Sequence, residues 1–109
     1  MIVIEYEVIL TGRAREDFEN LRSLHKIQGS VSIEKIKTAI ESLMLSPERH
    51  PFFEEEPWVS REIRLIEKDG ACIFYYIDKE EKKVYVVRIL YAQKVLVEQV
   101  KRVEKIQTA

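Results

Sequence analysis

The run of residues 71–77, ACIFYYI, constrains the fold of this chain more than any other segment. It is apolar or aromatic throughout, and it lies between two polar turns, Lys68-Asp69-Gly70 and Asp78-Lys79-Glu80-Glu81. So short a run is typical of a strand rather than a core helix, and its branched and aromatic residues favour the same interpretation. The pattern therefore predicts a strand that is buried on both faces. Within it, Tyr75 and Tyr76 must point to opposite sides of the sheet.

Further strands are predicted before and after this run. Residues 58–66 precede it, and the Asp69-Gly70 pair that joins the two segments is typical of a β-hairpin. Residues 83–91 follow it, and beyond Lys83 they are apolar or aromatic except for Arg88. Because an unpaired charge is costly to bury, Arg88 must either face solvent or pair with a carboxylate.

The first half of the chain predicts one strand and a pair of helices. Residues 2–10 alternate between two faces with the period of a strand. Thr11 is a suitable N-cap for a helix whose apolar residues then recur at helical spacing. A second amphipathic helix begins at Ser30 or Ser32 and ends before Ser46-Pro47. Because only a short break separates the helices, they are predicted to form a helical hairpin.

Residues 93–106 return to a helical period, so the predicted order of elements is β-α-α-β-β-β-α. Such an order indicates the α+β class, with the helical hairpin packed on one face of a mostly antiparallel four-stranded sheet. The opposite face is then left for solvent, for the last helix or for a partner. The length of 109 residues suits a single domain over residues 1–109.

Composition and charge exclude several classes of protein. Hydrophobic residues make up 46% of the chain and charged residues 34%, which indicates a soluble globular protein. The net charge of −1 gives no support to a protein that binds nucleic acid through a basic surface. No run approaches the length of a membrane span, about 20 apolar residues. The first residues carry Glu5 and Glu7, so no signal peptide is expected, and the single cysteine, Cys72, suits a cytoplasmic location.

The sequence predicts neither a metal site nor a cofactor. Its two histidines, His25 and His50, lie far apart without a second ligand at metal-binding spacing. Cys72 lies in an apolar run, where a small buried hydrophobic residue is expected rather than a nucleophile. The sequence has no glycine-rich phosphate loop, no Ser/His/Asp arrangement and no pair of catalytic carboxylates.

Several fragments in a fixed order carry a resemblance to a known family. They are residues 6–11 followed by Ala14, Asp17, Phe18 and Leu21, residues 45–51, residues 61–64 followed by Gly70 and residues 73–78, and residues 84–91. In this order the sequence resembles the RelE/ParE superfamily of toxins, which belong to type II toxin–antitoxin systems of the plasmid-stabilisation kind. The resemblance implies a RelE/ParE-like fold, an intracellular target and a cognate antitoxin that neutralises the toxin.

The resemblance implies two classes of target. RelE-like members cleave messenger RNA in the ribosome, whereas ParE-like members poison DNA gyrase and are not nucleases. For the cleaving members, the resemblance implies basic residues on the first hairpin strand, an arginine early in the next strand and a basic pair after the last. This chain has Arg61 and Arg64 on the predicted first hairpin strand, but Cys72 stands where the arginine of the next strand is expected. After the last strand, Tyr91-Ala92-Gln93-Lys94 stands where basic residues are expected to cluster. For ParE-like members the resemblance implies a His or Arg near Tyr91 and a basic pair after it, which Gln93 and Lys94 match only in part.

These departures favour a ParE-like toxin that binds a protein target such as DNA gyrase. The loss of one positioned donor commonly lowers the rate of a reaction by about 10²–10³, and a cysteine cannot supply a fixed positive charge. One alternative is a ribosome-dependent endoribonuclease, with Arg61, Arg64, Arg88 and Tyr91 as its phosphate-binding and acid–base residues. The other alternative is a degenerate, non-toxic binding module.

The residues expected to bind a partner lie at the end of the last strand and on the last helix. They are Arg88, Tyr91, Lys94, Leu96, Val100 and Val103. The apolar side chains of that helix either pack on the chain's own sheet or form part of a groove for the antitoxin. The expected partners are the cognate antitoxin and either DNA gyrase or the ribosome with its messenger RNA. A homodimer and a hetero-oligomer with the antitoxin are both compatible with the sequence.

Overall fold

The computed structural model describes residues 5–28 and 33–91 of the chain. Its strands are β1 (Glu7–Leu10), β2 (Arg64–Lys68), β3 (Ala71–Asp78) and β4 (Lys83–Tyr91). Its helices are α1 (Gly12–Gln28) and α2 (Ile33–Glu41), and short 3-10 turns cover Ser42–Met44, Pro47–Arg49 and Val59–Arg61. No helix within the two described ranges is long and apolar enough to cross a membrane.

The strands form one four-stranded sheet in the order β1-β4-β3-β2. β1 runs parallel to β4, and the other neighbouring strands are antiparallel. Two helices pack on this mostly antiparallel sheet, which confirms the predicted α+β class. The predicted last helix, with Lys94, Leu96, Val100 and Val103, lies outside the described residues.

Local sequence signals place these elements close to where they were predicted. The Thr11 hydroxyl accepts a hydrogen bond from the Ala14 amide at 3.2 Å, which is the expected N-cap contact. Asp69 and Gly70 join β2 to β3 with φ angles of 49° and 85°, the left-handed pair that a tight hairpin turn requires. Every residue from Ala71 to Tyr75 is buried, so the central run is a strand that is covered on both faces, as predicted.

The main core lies between the helices and one face of the sheet. Its buried members are Ala14, Leu21, Ile36, Ile40, Leu43, Ile66, Ala71, Ile73, Tyr75, Val84, Val86 and Ile89. Most of them recur at every third or fourth position in the helices and at alternate positions in the strands, the periods on which the sequence prediction rested. Tyr75 lies in this layer and Tyr76 on the opposite face, as expected of neighbours along a strand.

The strand predicted for residues 58–66 is wrong before Arg64. The 3-10 turn Val59–Arg61 occupies part of that range, and Glu62 adopts a left-handed backbone conformation with a φ of 57°. The Ile63 amide donates to the Trp58 carbonyl at 3.1 Å, so the chain turns back on itself before it joins the sheet. The branched and aromatic residues that favoured a strand are used here to pack against the sheet instead.

The opposite face of the sheet is partly covered by the loop that precedes β2. Phe53 packs edge-on against Phe74 with ring centroids 5.3 Å apart, and the Trp58 ring lies 6.4 Å from the same ring. Ile63 and Cys72 complete this smaller cluster. The partly buried residues around it also include Leu65, Tyr76, Val87 and Leu90. The expectation that this face is left for solvent, the last helix or a partner therefore holds only where the loop leaves the sheet uncovered.

Candidate functional site

Arg88, one of the predicted site residues, is paired with Asp17 of α1. β1 pairs with β4 from Lys83 to Val86, and no other strand of residues 5–28 and 33–91 lies beside the later part of β4 on that edge. There the Asp17 carboxylate accepts a hydrogen bond from the Ile89 amide at 3.0 Å. It also accepts two bonds from Arg88, from Nε at 2.7 Å and from Nη2 at 3.1 Å. The sequence allowed Arg88 either to face solvent or to pair with a carboxylate, and in the structure it pairs with the carboxylate of Asp17.

This ion pair is largely removed from solvent. The side chains of Arg88 and Asp17 are 16% and 8% exposed. Two parallel N–H···O bonds to a shielded carboxylate are strong and geometrically specific, so Arg88 holds α1 on β4. Sequence reasoning missed Asp17 as the partner, although a signal existed. Asp17 lies between Ala14 and Leu21 on the buried stripe of α1, and an acid in such a stripe must meet a cation or an amide.

Arg64 holds the segment of residues 47–53, here named the latch, against β2. Its Nη1 donates to the His50 carbonyl at 2.7 Å and to the Glu48 carbonyl at 3.2 Å. The guanidinium carbon lies 4.1 Å from the centroid of the Phe52 ring, which is a cation–π distance. Two carbonyl groups and one ring of the same segment therefore surround this arginine. These hydrogen bonds and the cation–π contact attach the latch to the sheet.

Tyr75 and the main chain of β2 complete the attachment of the latch. The Tyr75 hydroxyl donates to the Pro47 carbonyl at 2.5 Å. The Leu65 amide donates to the Pro51 carbonyl at 3.0 Å. Burial raises the pKa of Tyr75 to about 12, so this phenol stays protonated and acts as a hydrogen-bond donor at physiological pH.

The remaining predicted site residues lie elsewhere. Arg61 ends a 3-10 turn and is exposed. The prediction that it shares a strand with Arg64 is therefore wrong. Tyr91 is the last residue of β4 and pairs with Ala71 of β3. Arg64 and Arg88 belong to β2 and β4, with β3 between these strands. Two of the three candidate arginines are therefore engaged by internal partners, each at a different place in the sheet.

Cys72 lies at the position where the resemblance implies an arginine. Its side chain is 5% exposed, within the cluster formed with Ile63 and Phe74. Burial and, to a smaller extent, the charge of Glu67 raise the pKa of the thiol to about 11. The thiol is therefore neutral and unreactive at physiological pH. In the part of the chain that the structure describes, no group of His, Cys, Asp and Glu side chains is arranged to hold a metal ion.

An open groove of about 780 Å³ lies between α2 and β2. Ala39 and Thr38 line it from the helix, and Leu65 and Ile66 line it from the strand. The latch contributes a third part of the lining. The further lining residues are Glu34, Lys35, Ser42, Arg49, His50, Pro51, Glu67 and Lys68. The groove lining therefore combines apolar side chains with charges of both signs.

β2 forms one edge of the sheet beside this groove. The Ile63 carbonyl accepts from the Phe53 amide, and the Leu65 amide donates to Pro51, so these groups point away from β3. Because alternate residues of a strand direct their backbone groups to the same side, the amide and carbonyl of Glu67 also point to the outer edge. Past the latch, no strand of the described chain pairs with this edge. The groove thus presents a strand edge to which a further extended segment can add.

Comparison with known protein families finds a match that covers most of the chain. The pattern of the family described as the ParE toxin of type II toxin-antitoxin system, parDE, matches residues 8–96. That range contains the Asp17–Arg88 pair, the latch and the β2 edge. No curated protein matches the chain.

Solved structures of similar fold include one toxin–antitoxin complex and two structures of a toxin alone. The toxin–antitoxin complex RelBE2 from Mycobacterium tuberculosis is 21% identical over 81% of this chain and 92% of its own, with a TM-score of 0.59. A mutant of the E. coli toxin RelE in the free state is 21% identical over 90% and 97% of the two chains, with a TM-score of 0.57. The isolated E. coli RelE toxin is 22% identical over 90% and 98%, also with a TM-score of 0.57. At these identities the similarity shows a shared fold.

Proposed function

The chain belongs to the ParE toxin family of type II toxin–antitoxin systems, and from that premise we propose that it binds an intracellular protein target such as DNA gyrase. It does so without cutting RNA, and a cognate antitoxin neutralises it. The observation that carries this proposal is that residues at the positions of a nuclease site are used inside the chain. Arg64 and Arg88 hold elements of the fold together, and Cys72 is buried and neutral.

RNA cleavage needs cations that are free to meet charge as it develops on the phosphate. The Arg88 guanidinium is already bonded to Asp17, and its release would leave a shielded carboxylate without a counter-ion. Arg64 is bonded to two carbonyl groups of the latch. A phosphate would have to compete with these partners for each arginine. Their geometry therefore supports a structural role more than a role in phosphate binding.

Cys72 adds a second argument against RNA cleavage. A fixed positive charge at its position would stabilise the scissile phosphate, whereas the thiol is uncharged and buried in the cluster with Ile63 and Phe74. Its pKa of about 11 also removes the thiolate as a nucleophile. A protein-binding toxin requires no catalytic set and is compatible with all of these features.

The test of this proposal measures both target classes with the purified full-length chain. One reaction contains DNA gyrase, relaxed plasmid and ATP, and it records supercoiling and trapped DNA breaks. The other contains ribosomes loaded with messenger RNA, and it records RNA fragments. We expect loss of gyrase activity and intact messenger RNA.

Two matched variants, each lacking one exposed arginine, serve to identify results that would contradict the proposal. Arg61→Ala removes an exposed arginine at a candidate nuclease position, and Arg15→Ala removes an exposed arginine of α1. If messenger RNA is cut and only Arg61→Ala abolishes the cutting, the chain is an endoribonuclease and the proposal is wrong. If neither gyrase nor messenger RNA is affected, gyrase is not the target and the proposal is again wrong; absence of growth arrest when the chain is induced in a bacterial host would then identify a non-toxic binding module.

We further propose that the cognate antitoxin binds at the β2 edge and the adjacent groove. The outward amide and carbonyl of Glu67 supply main-chain hydrogen bonds to an added strand, which is how an extended segment gains affinity at a sheet edge. Leu65, which is partly buried and lines the groove, offers apolar surface to its side chains. Charges of both signs, from Glu67 and Lys68, favour a partner segment with complementary charges. The similar fold of the RelBE2 complex, which contains an antitoxin, supports a partner of this kind.

A further inference from the structure

His50 lies where the latch meets the sheet. Its ring packs against Tyr75 in an edge-to-face arrangement, with centroids 6.3 Å apart and an angle of 89° between the ring planes. Its Nε2 atom is buried and has no hydrogen-bond partner within the described chain. A neutral imidazole tolerates such a position far better than an imidazolium, because a shielded cation without a partner is much more costly.

The positive charges around His50 also oppose a further positive charge on its ring. Arg49 precedes it in the latch, and Arg64 of β2 donates to its carbonyl at 2.7 Å. Tyr75 of β3 is a neutral phenol and offers no negative charge. Burial, followed by the charges of Arg49 and Arg64, lowers the pKa of His50 below its ordinary value of 6.5.

Acidic groups near the latch do not compensate for this. Glu48 of the latch forms an ion pair with Lys79 at 3.5 Å. From α2 and β2, Glu34 and Glu67 line the same groove as His50, where Lys35 and Lys68 also lie. Among the residues that the structure describes, no carboxylate accepts a hydrogen bond from the buried Nε2. The imidazolium would therefore lack a direct counter-ion while the latch is closed.

We propose that protonation of His50 opens the latch and exposes the Leu65 end of the β2 edge. In the open state the imidazolium reaches water and moves away from Arg64. Opening breaks the hydrogen bonds from Arg64 to the latch carbonyls and from the Leu65 amide to Pro51. The free edge then extends from Glu67 back to Leu65. The proposed opening involves only the latch and the strand beside it, so it does not depend on which target the chain binds.

The direction of the pH effect follows from the two states of His50. In the open latch its pKa returns to about 6.5, and in the closed latch the pKa is lower. The closed state is therefore fully favoured above pH 6.5 and loses stability as the pH falls through the interval between the two values. Across that interval, the equilibrium constant for opening rises up to about tenfold for each pH unit.

Amide hydrogen exchange on the full-length chain tests this device. It is measured by NMR between about pH 8 and about pH 5, the range in which histidine titrates, and corrected for the intrinsic pH dependence of exchange. We expect the Leu65 amide, which donates to Pro51, and the Phe53 amide, which donates to Ile63, to lose protection as the pH falls. The Ile73 amide in the central strand keeps its protection, because the rest of the sheet stays closed.

The variants separate His50 from other causes. His50→Phe retains an aromatic ring without a titrating group, and His50→Gln is the second variant should the first not fold. Both should abolish the pH dependence at Leu65, whereas His25→Phe, which removes the other histidine, should leave it intact. The proposal is wrong if Leu65 protection does not change with pH or changes equally in the His50 variants. Parallel loss of protection at Ile73 also contradicts it, since this would indicate unfolding of the whole sheet.

Discussion

Replacing Asp17 by alanine removes the carboxylate that binds both Arg88 and the Ile89 amide. Removal of one partner from a buried ion pair costs about 3–5 kcal/mol, because the other charge stays shielded without compensation. The Ile89 amide adds an unsatisfied donor, worth about 1–3 kcal/mol, while the 16% exposure of the Arg88 side chain relieves part of the cost. We therefore expect Asp17→Ala to lower the free energy of unfolding by about 3–5 kcal/mol, a large share of the about 5–15 kcal/mol typical of a domain.

The assay is urea unfolding of the full-length chain, followed by circular dichroism. Glu19→Ala is the matched control, since Glu19 also lies on α1 and pairs with an arginine, Arg22, at 3.2 Å. Their side chains are 68% and 53% exposed, and such a surface pair contributes about 0–1 kcal/mol. Arg88→Met should cost less than Asp17→Ala, because Asp17 keeps its hydrogen bond from the Ile89 amide. A loss in Asp17→Ala no greater than in Glu19→Ala would refute the role of Asp17 as a shielded counter-ion.

Further predictions concern the edge, the thiol and the latch. Glu67→Pro removes an outward amide and should weaken antitoxin binding, measured by calorimetry, at least tenfold, whereas Glu67→Ala keeps the amide and should bind nearly as the parent. Cys72, with a pKa of about 11, should resist alkylation at about pH 8 in the folded chain and react once urea unfolds it, as mass spectrometry will record. Tyr75→Phe removes the bond to Pro47 and should cost about 0.5–1.5 kcal/mol in urea unfolding. In that variant the Leu65 amide should exchange faster at every pH, with the pH dependence retained.

The order of the described elements could be predicted because each carries a local signal. The apolar run of β3, the Asp69-Gly70 turn and the Thr11 N-cap act over a few residues, so their structural consequences are visible in the sequence itself. The prediction failed for residues 58–63, where branched and aromatic residues favoured a strand. Their final conformation depends on packing against Phe74, and local propensity does not record that contact.

The candidate site was less predictable, because its residues act through distant partners. The sequence identified Arg88 as an isolated charge that must either face solvent or pair with a carboxylate. It did not show which of the two environments Arg88 occupies. Asp17 lies 71 positions away, and only the packing of α1 along β4 brings the two side chains together. In the same way, Arg64 was a reasonable candidate for binding phosphate until the latch carbonyls were seen to accept its hydrogen bonds.

Local sequence patterns thus determined the fold class, the central buried strand and the resemblance to a toxin family. These follow from short-range periodicity and turn chemistry, which a chain carries in its residues before it folds. The tertiary structure decided which partners Arg64 and Arg88 bind, and within residues 5–28 and 33–91 it left the β2 edge unpaired beside Glu67. Availability of a charge or a strand edge depends on what packs next to it, and that is a property of the folded chain alone.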